Sequence, residues 1–192
     1  DLWTPKGDRD PTAGRPRILA CELEGERHAT LEASLERPLF HYSSLLIDRA
    51  FRGDAFRLHL PADELGFASV VYLNPPYDVD FLERRGAESP NRLEHRFLER
   101  FTPYVSPLGG VLMYLVPAAS LAASADFLAE HYSTPLLRRF PDPEFGDYRQ
   151  VLFVAHRLGR PMESRLARRS AEKIRLSLAN LDSLPTLEEP IV

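Results

Sequence analysis

Asn74-Pro75-Pro76-Tyr77 follows directly on the apolar run Val70-Val71-Tyr72-Leu73. An amine attached to an aromatic ring or to an acyl carbon is a poor nucleophile, because its lone pair is delocalised. A site that transfers a group to such an amine must hold both of its hydrogens with acceptors. Asn74 offers a side-chain carbonyl oxygen and Pro75 a backbone carbonyl, and prolines freeze the backbone and bring no competing N–H. Tyr77 adds a ring that can stack on a planar substrate. The competing reading is a rigid turn, since two prolines fix two φ angles and the first restricts Asn74 to extended conformations. Four fixed residues, each at an average usage of roughly 5%, would arise in such a chain about one time in a thousand. Their place after a buried strand also favours the chemical reading, because ligands of open α/β sheets sit outside the carboxyl ends of the strands.

The elements that must position this turn follow from periodicity. Residues 1–17 are crowded with Pro, Gly and Asp and read as loop. Ile18-Leu19-Ala20-Cys21 is a short apolar run ending on Glu22-Leu23-Glu24, and Glu26 to Leu35 has helical spacing, so a strand leads into a helix. Residues 37–52 fit helix or strand, and Gly53-Asp54-Ala55 precedes an alternating Phe56, Leu58, Leu60 segment. Beyond the Asn-Pro-Pro-Tyr turn, residues 78–91 are polar and read as a mobile loop, after which Leu93, Phe97, Leu98, Phe101 and Tyr104 recur at helical spacing. Gly109-Gly110 separates that helix from a strand over Val111 to Val116, and Ala118 to Tyr132 reads as one helix. Leu136 to Phe140 and Gln150 to Arg157 read as two strands joined through Pro141 to Asp147. The order predicts an α/β sheet, mostly parallel with an antiparallel edge strand, over residues 18–160. Residues 161–192 form a C-terminal helical extension, in which Ser164 to Leu184 reads as one amphipathic helix. Packing on the sheet or on a partner subunit is its expected role, with a basic arm for nucleic acid as the alternative.

The bulk properties narrow the classes. A chain of 192 residues with 44% hydrophobic and 27% charged residues has the makings of one domain with a core, which excludes disorder for the bulk. A net charge of -4 gives no global reason for tight nucleic-acid binding, so any such site is local. One cysteine, Cys21, excludes an internal disulfide and fits a reducing, cytoplasmic setting; no Cys/His cluster has metal-ligand spacing. The longest apolar runs fall short of the roughly 20 residues of a membrane helix, so no membrane partner is expected.

At Asn74-Pro75-Pro76-Tyr77 the chain resembles the class I S-adenosylmethionine-dependent methyltransferases that modify exocyclic or amide amines, above all the amino-adenine DNA methyltransferases. Glu22, ending Ala20-Cys21-Glu22, resembles the acid of that superfamily that holds the cofactor's ribose hydroxyls. Asp54, in Gly53-Asp54-Ala55, resembles the acid that accepts from the cofactor's adenine amine. Phe140 to Phe145 with Tyr148-Arg149-Gln150, and the Leu93 to Pro117 run, resemble uncharacterised phage- and plasmid-borne members, so that the likeness spans about residues 10–157. It implies a Rossmann-like sheet, S-adenosyl-L-methionine as cofactor, and methyl transfer to adenine N6 in DNA. RNA guanine and a protein glutamine amide remain alternative acceptors, and a catalytically inactive binding or scaffold subunit is the alternative of another class. In an enzyme on duplex DNA the target base must leave the stack. Arg84, Arg85, Arg92, Arg96 and Arg100 are candidates for phosphate contact, interleaved with Glu83, Glu88, Glu94 and Glu99 in a pattern that also fits a solvated helix. Phe145, Tyr148 and Arg149 suit a target pocket, and core packing and a surface ion pair fit them at least as well.

One part of the pattern is incomplete. Asp10, Ala13 and Gly14, in Asp10-Pro11-Thr12-Ala13-Gly14, resemble the start of the cofactor's glycine-rich loop, but no apolar strand precedes them and no room for a helix separates Gly14 from Ile18. Three explanations fit: residues of this segment are absent from the chain, Ile18 to Glu22 is itself the first strand with Glu24-Gly25 a degenerate loop, or the loop is lost. The first is preferred, and with it poor order near residue 14.

Overall fold

The computed structural model describes residues 18–22, 25–33, 47–57, 65–76, 92–142 and 144–190. They fall into two compact units, Asp1–Leu60 and Pro61–Val192. In the first unit β1 (Ile18–Glu22), α1 (Gly25–Ala33) and β2 (Ile47–Arg52) make a strand–helix–strand unit with the strands parallel, Glu22 pairing with Arg52. Residues 47–52, ambiguous by periodicity, are thus strand. The alternating segment after Asp54 begins as a 3-10 turn over Ala55–Arg57. Asp54 causes this: its side-chain Oδ1 accepts the Phe56 N–H at 2.9 Å and its backbone carbonyl accepts the Arg57 N–H at 2.8 Å.

The second unit holds β3 (Val70–Leu73), α2 (Leu93–Phe101), β4 (Val111–Pro117), α3 (Ala118–Ala123), α4 (Ala125–His131), β5 (Leu136–Arg139), α5 (Glu144–Tyr148), β6 (Gln150–His156) and α6 (Ser164–Ala179). Its sheet has the order β3-β4-β6-β5. β3 and β4 are parallel across the α2 crossover, whereas β6 runs antiparallel to both β4 and β5. The α/β class is as expected, but the antiparallel strand is not at the edge: β6 lies between β4 and β5, because the short α5 connection returns the chain beside β4. Leu112, Tyr114 and Val116 of β4 are fully buried, and Leu121, Leu128, Phe153, Ala171 and Ile174 join them in one core. The C-terminal helix thus contributes Ala171, Ile174 and Leu178 to the same core as the sheet.

Two helices read as continuous are broken. Ser124, at φ -89° and ψ 2°, divides Ala118 to Tyr132; its N–H is shared between the Ser120 and Leu121 carbonyls at 3.1 Å each, and its hydroxyl meets His95 Nδ1 at 3.0 Å. The half-buried His95 of α2 thus holds the Ser124 hydroxyl at the break. Asn180, at φ -123° and ψ 69°, ends α6, and Leu181–Ser183 close as a 3-10 turn that turns Leu181 and Leu184 back into the core.

Gly110 shows how tightly β4 is entered. A Cβ there would lie 2.6 Å from Ser106 N and 2.9 Å from both Ala68 O and Ser106 O, all backbone atoms. Gly110→Ala is expected to lower stability by about 1–3 kcal/mol, as overpacking does. The midpoint of denaturant unfolding reads this, and an unshifted midpoint would mean that the 106–110 turn relaxes at no cost.

Candidate functional site

β3 carries the Asn-Pro-Pro turn to the carboxyl end of the second unit's sheet, where Leu73 pairs with Tyr114 of β4. Leu73 and Pro75 are buried while Asn74 and Pro76 are exposed, so the alternation of the strand runs on through the turn. Asn74 shares a face with Tyr72, two residues earlier, and their side chains are hydrogen-bonded. Burial pushes the Tyr72 hydroxyl above its ordinary pKa, and the bond to Asn74 pulls it back in part. Tyr72 was not singled out by sequence reasoning, although period-two spacing from Asn74 is the signal that would have found it. Tyr77, the fourth residue of the motif, lies outside the described residues.

Behind the turn, α2 is anchored by charge. Glu94 is 0% exposed and Arg92 3% exposed. Arg92 Nη2 donates to Glu94 Oε1 at 2.8 Å, and the Ser120 hydroxyl donates to the same oxygen at 2.8 Å. Burial alone would raise the Glu94 pKa. The bonds from Arg92, from its own backbone N–H and from Ser120, together with the Arg92 charge, outweigh burial and hold the carboxyl below the usual range. Arg92 is thus committed to Glu94 rather than to a phosphate. Arg84 and Arg85 lie outside the described residues, and Arg96 is exposed.

The two candidate cofactor acids sit in the first unit, at the carboxyl ends of adjacent parallel strands. The Gly53 N–H donates to the Glu22 carbonyl at 3.0 Å, so Asp54 follows one residue after the backbone bond that joins the two strand ends. Both Glu22 carboxylate oxygens accept from Arg27, Nε and Nη2 each at 3.0 Å. The Arg27 side chain is 70% exposed, so exchanging this pair for a vicinal diol loses little, exposed ion pairs being worth about 0–1 kcal/mol. Asp54 Oδ1 is held by the Phe56 N–H, with Arg57 3.9 Å from Oδ2. Burial pushes the neighbouring Cys21 thiol up, and the Glu22 and Asp54 charges add to this. In acceptor type and placement the pair suits the diol and amine of an adenosine. Asp10, Ala13 and Gly14 lie outside the described residues, so the loop for the rest of such a cofactor is not part of this geometry.

Phe145 proves to be core, 6% exposed, with the Arg139 guanidinium 5.1 Å from its ring centroid. Tyr148 is 60% exposed, and Arg149 stands at φ 49° in the left-handed region. Among the described residues no group of His, Cys, Asp and Glu could hold a metal ion, and no helix is long and apolar enough to cross a membrane.

Residues 49–190 match the family described as an uncharacterised methyltransferase family, DUF6094. The match contains Asp54, the Asn74 to Tyr77 motif and the C-terminal helix, and begins after Glu22. No curated protein and no solved structure matches the chain.

Proposed function

The chain belongs to this methyltransferase family, and on that footing we propose that it transfers a methyl group from S-adenosyl-L-methionine to an exocyclic amine, adenine N6 of DNA before RNA guanine or a protein glutamine amide. The observation that carries the reading is the Asn74 side chain, hydrogen-bonded to Tyr72 at the carboxyl end of β3 and followed by the buried Pro75. The Asn74 amide oxygen is an acceptor for one hydrogen of the target amine, and the Pro75 carbonyl takes the other. Drawing both hydrogens toward acceptors returns lone-pair density to nitrogen, which is what an arylamine lacks. The proton released on methylation can pass to solvent at this exposed end of the sheet. Tyr77 stacks on the base.

When bound, the cofactor supplies an electrophilic methyl group; Glu22 would hold its ribose hydroxyls, Asp54 its adenine amine, and Asp10, Ala13 and Gly14 its methionine portion. Glu22→Ala is expected to weaken S-adenosylmethionine binding by about 10-fold, the scale of hydrogen bonds to a charged group, and Asp54→Ala by a similar factor. Isothermal titration reads both, and unchanged affinity in both variants would remove these acids from the cofactor site.

Labelled methyl groups offered with unmethylated duplex DNA, a structured RNA and a glutamine-bearing protein test the substrate. N6-methyladenine in the DNA is the expected product. Incorporation into none of the three, by a chain that binds the cofactor, would turn the reading toward a binding or scaffold subunit docking through residues 164–184.

A further inference from the structure

A cleft of about 520 Å³ opens at the carboxyl end of β4, the strand beside the one that carries Asn74. Its size is that of ligand pockets, on the order of 300–1,000 Å³. Ala119, Ala122 and Leu178 are part of its apolar wall, and Tyr148, Arg149 and Arg175 also line it.

The placement of Tyr148 and Arg149 is enforced by backbone. Gln150 pairs with Pro117, and the Ala118 N–H donates to the Arg149 carbonyl at 3.0 Å. The Arg149 N–H donates to Phe145 O at 2.8 Å, so both backbone groups of this left-handed residue are engaged and its conformation is over-determined. Such outliers persist where the surrounding structure holds them, often at ligand sites. Tyr148, next to it, keeps an exposed ring, whereas Phe145 one turn earlier is buried. Arg175 is already engaged, its Nη2 lying 2.6 Å from Asp126 Oδ2.

The helix that lines the cleft also carries cations along its length. α6, which supplies Arg175 and Leu178 to the lining, carries Arg165, Arg168, Arg169 and Lys173 exposed, with Glu172 as its one acid. A chain of net charge -4 thus has a run of cations along this helix, with Asp126 of α4 on Arg175 and Asp126 and Glu130 beside Arg168.

Resting on the nucleic-acid reading above, we propose that the cleft is a second nucleotide subsite: it receives a nucleotide of the substrate strand other than the one being methylated, its base stacked on Tyr148 and its phosphate on Arg149, with the strand leading onto α6. Stacking on one exposed aromatic tolerates any base, so the subsite sets affinity and register rather than recognition sequence.

Anisotropy of a fluorescein-labelled single-stranded DNA oligonucleotide tests this on the 192-residue chain and on Tyr148→Ala and Arg149→Gln, two exposed positions whose melting temperatures serve as folding controls. Tyr148→Ala is expected to weaken binding about 5- to 100-fold. Arg149→Gln is expected to reduce the slope of log affinity against log salt by about one. Adenosine monophosphate, as competitor, separates a free nucleotide from a strand. Tyr148-dependent binding of the monophosphate with oligonucleotide affinity unchanged in both variants overturns the strand assignment. Tight oligonucleotide binding indifferent to both substitutions, with the monophosphate unbound, overturns the subsite and leaves the methyl-transfer reading standing. An unmutated chain that binds no oligonucleotide overturns the nucleic-acid reading, and the subsite with it.

Discussion

Asn74→Ala is expected to lower kcat for methyl transfer by about 10²- to 10³-fold, the loss typical when one preorganised polar group at the reacting centre is removed. The cofactor affinity should hold, because Asn74 makes its contact in the transition state with the target amine. Tyr72→Phe sharpens the test. It keeps the ring and removes only the hydroxyl that is hydrogen-bonded to the Asn74 side chain, so the amide remains but loses that partner. A fall of about 2- to 10-fold in kcat, with the acceptor KM little changed, is the expected signature of lost positioning. Full transfer by Asn74→Ala would remove the amine clamp from the mechanism. An unaffected Tyr72→Phe would leave the clamp in place and make Tyr72 a bystander.

Glu94→Ala is expected to destabilise the second unit by about 3–5 kcal/mol, a large fraction of an ordinary domain's stability. The cause is not a lost attraction but a stranded charge: Arg92 is 3% exposed, and its guanidinium would remain in the core without the carboxylate that receives it at 2.8 Å. The double change Arg92→Met with Glu94→Leu removes both charges and should recover most of the loss, since a buried pair often contributes little against apolar residues of similar volume. Chemical denaturation of the three proteins measures this, and equal loss in single and double variants would refute the stranded-charge account. The same carboxyl predicts the acid limb. Its folded pKa lies below its ordinary value, so its contribution is complete above about pH 4.3, the unfolded range. It is lost as pH falls further, through the folded value.

These two residues also show what was legible in one dimension. Asn74 announces itself because strand, prolines and amide are contiguous, and local order suffices to place them. Glu94 is one of four glutamates in an alternating run and looks solvated. Only the approach of Ser120, 26 positions away, reveals that it is buried. Arg92 was misplaced among the phosphate candidates for the same reason. Ser124 reads as an ordinary helix residue until His95 of α2 captures its hydroxyl, and Phe145, open by sequence between pocket and core, is settled as core by its burial and the Arg139 guanidinium over its ring.

The amino-acid sequence by itself determined the element order, the α/β class and the strand-end motif, because each depends on periodicity, on proline geometry or on neighbours within a few positions. Tertiary structure alone decided that Glu94 is buried against Ser120, that α6 shares the sheet's core, that Ala118 to His131 is two helices and that Tyr148 faces a cleft. Burial and hydrogen-bond partnership join residues tens of positions apart, and neither propensity nor spacing carries that information.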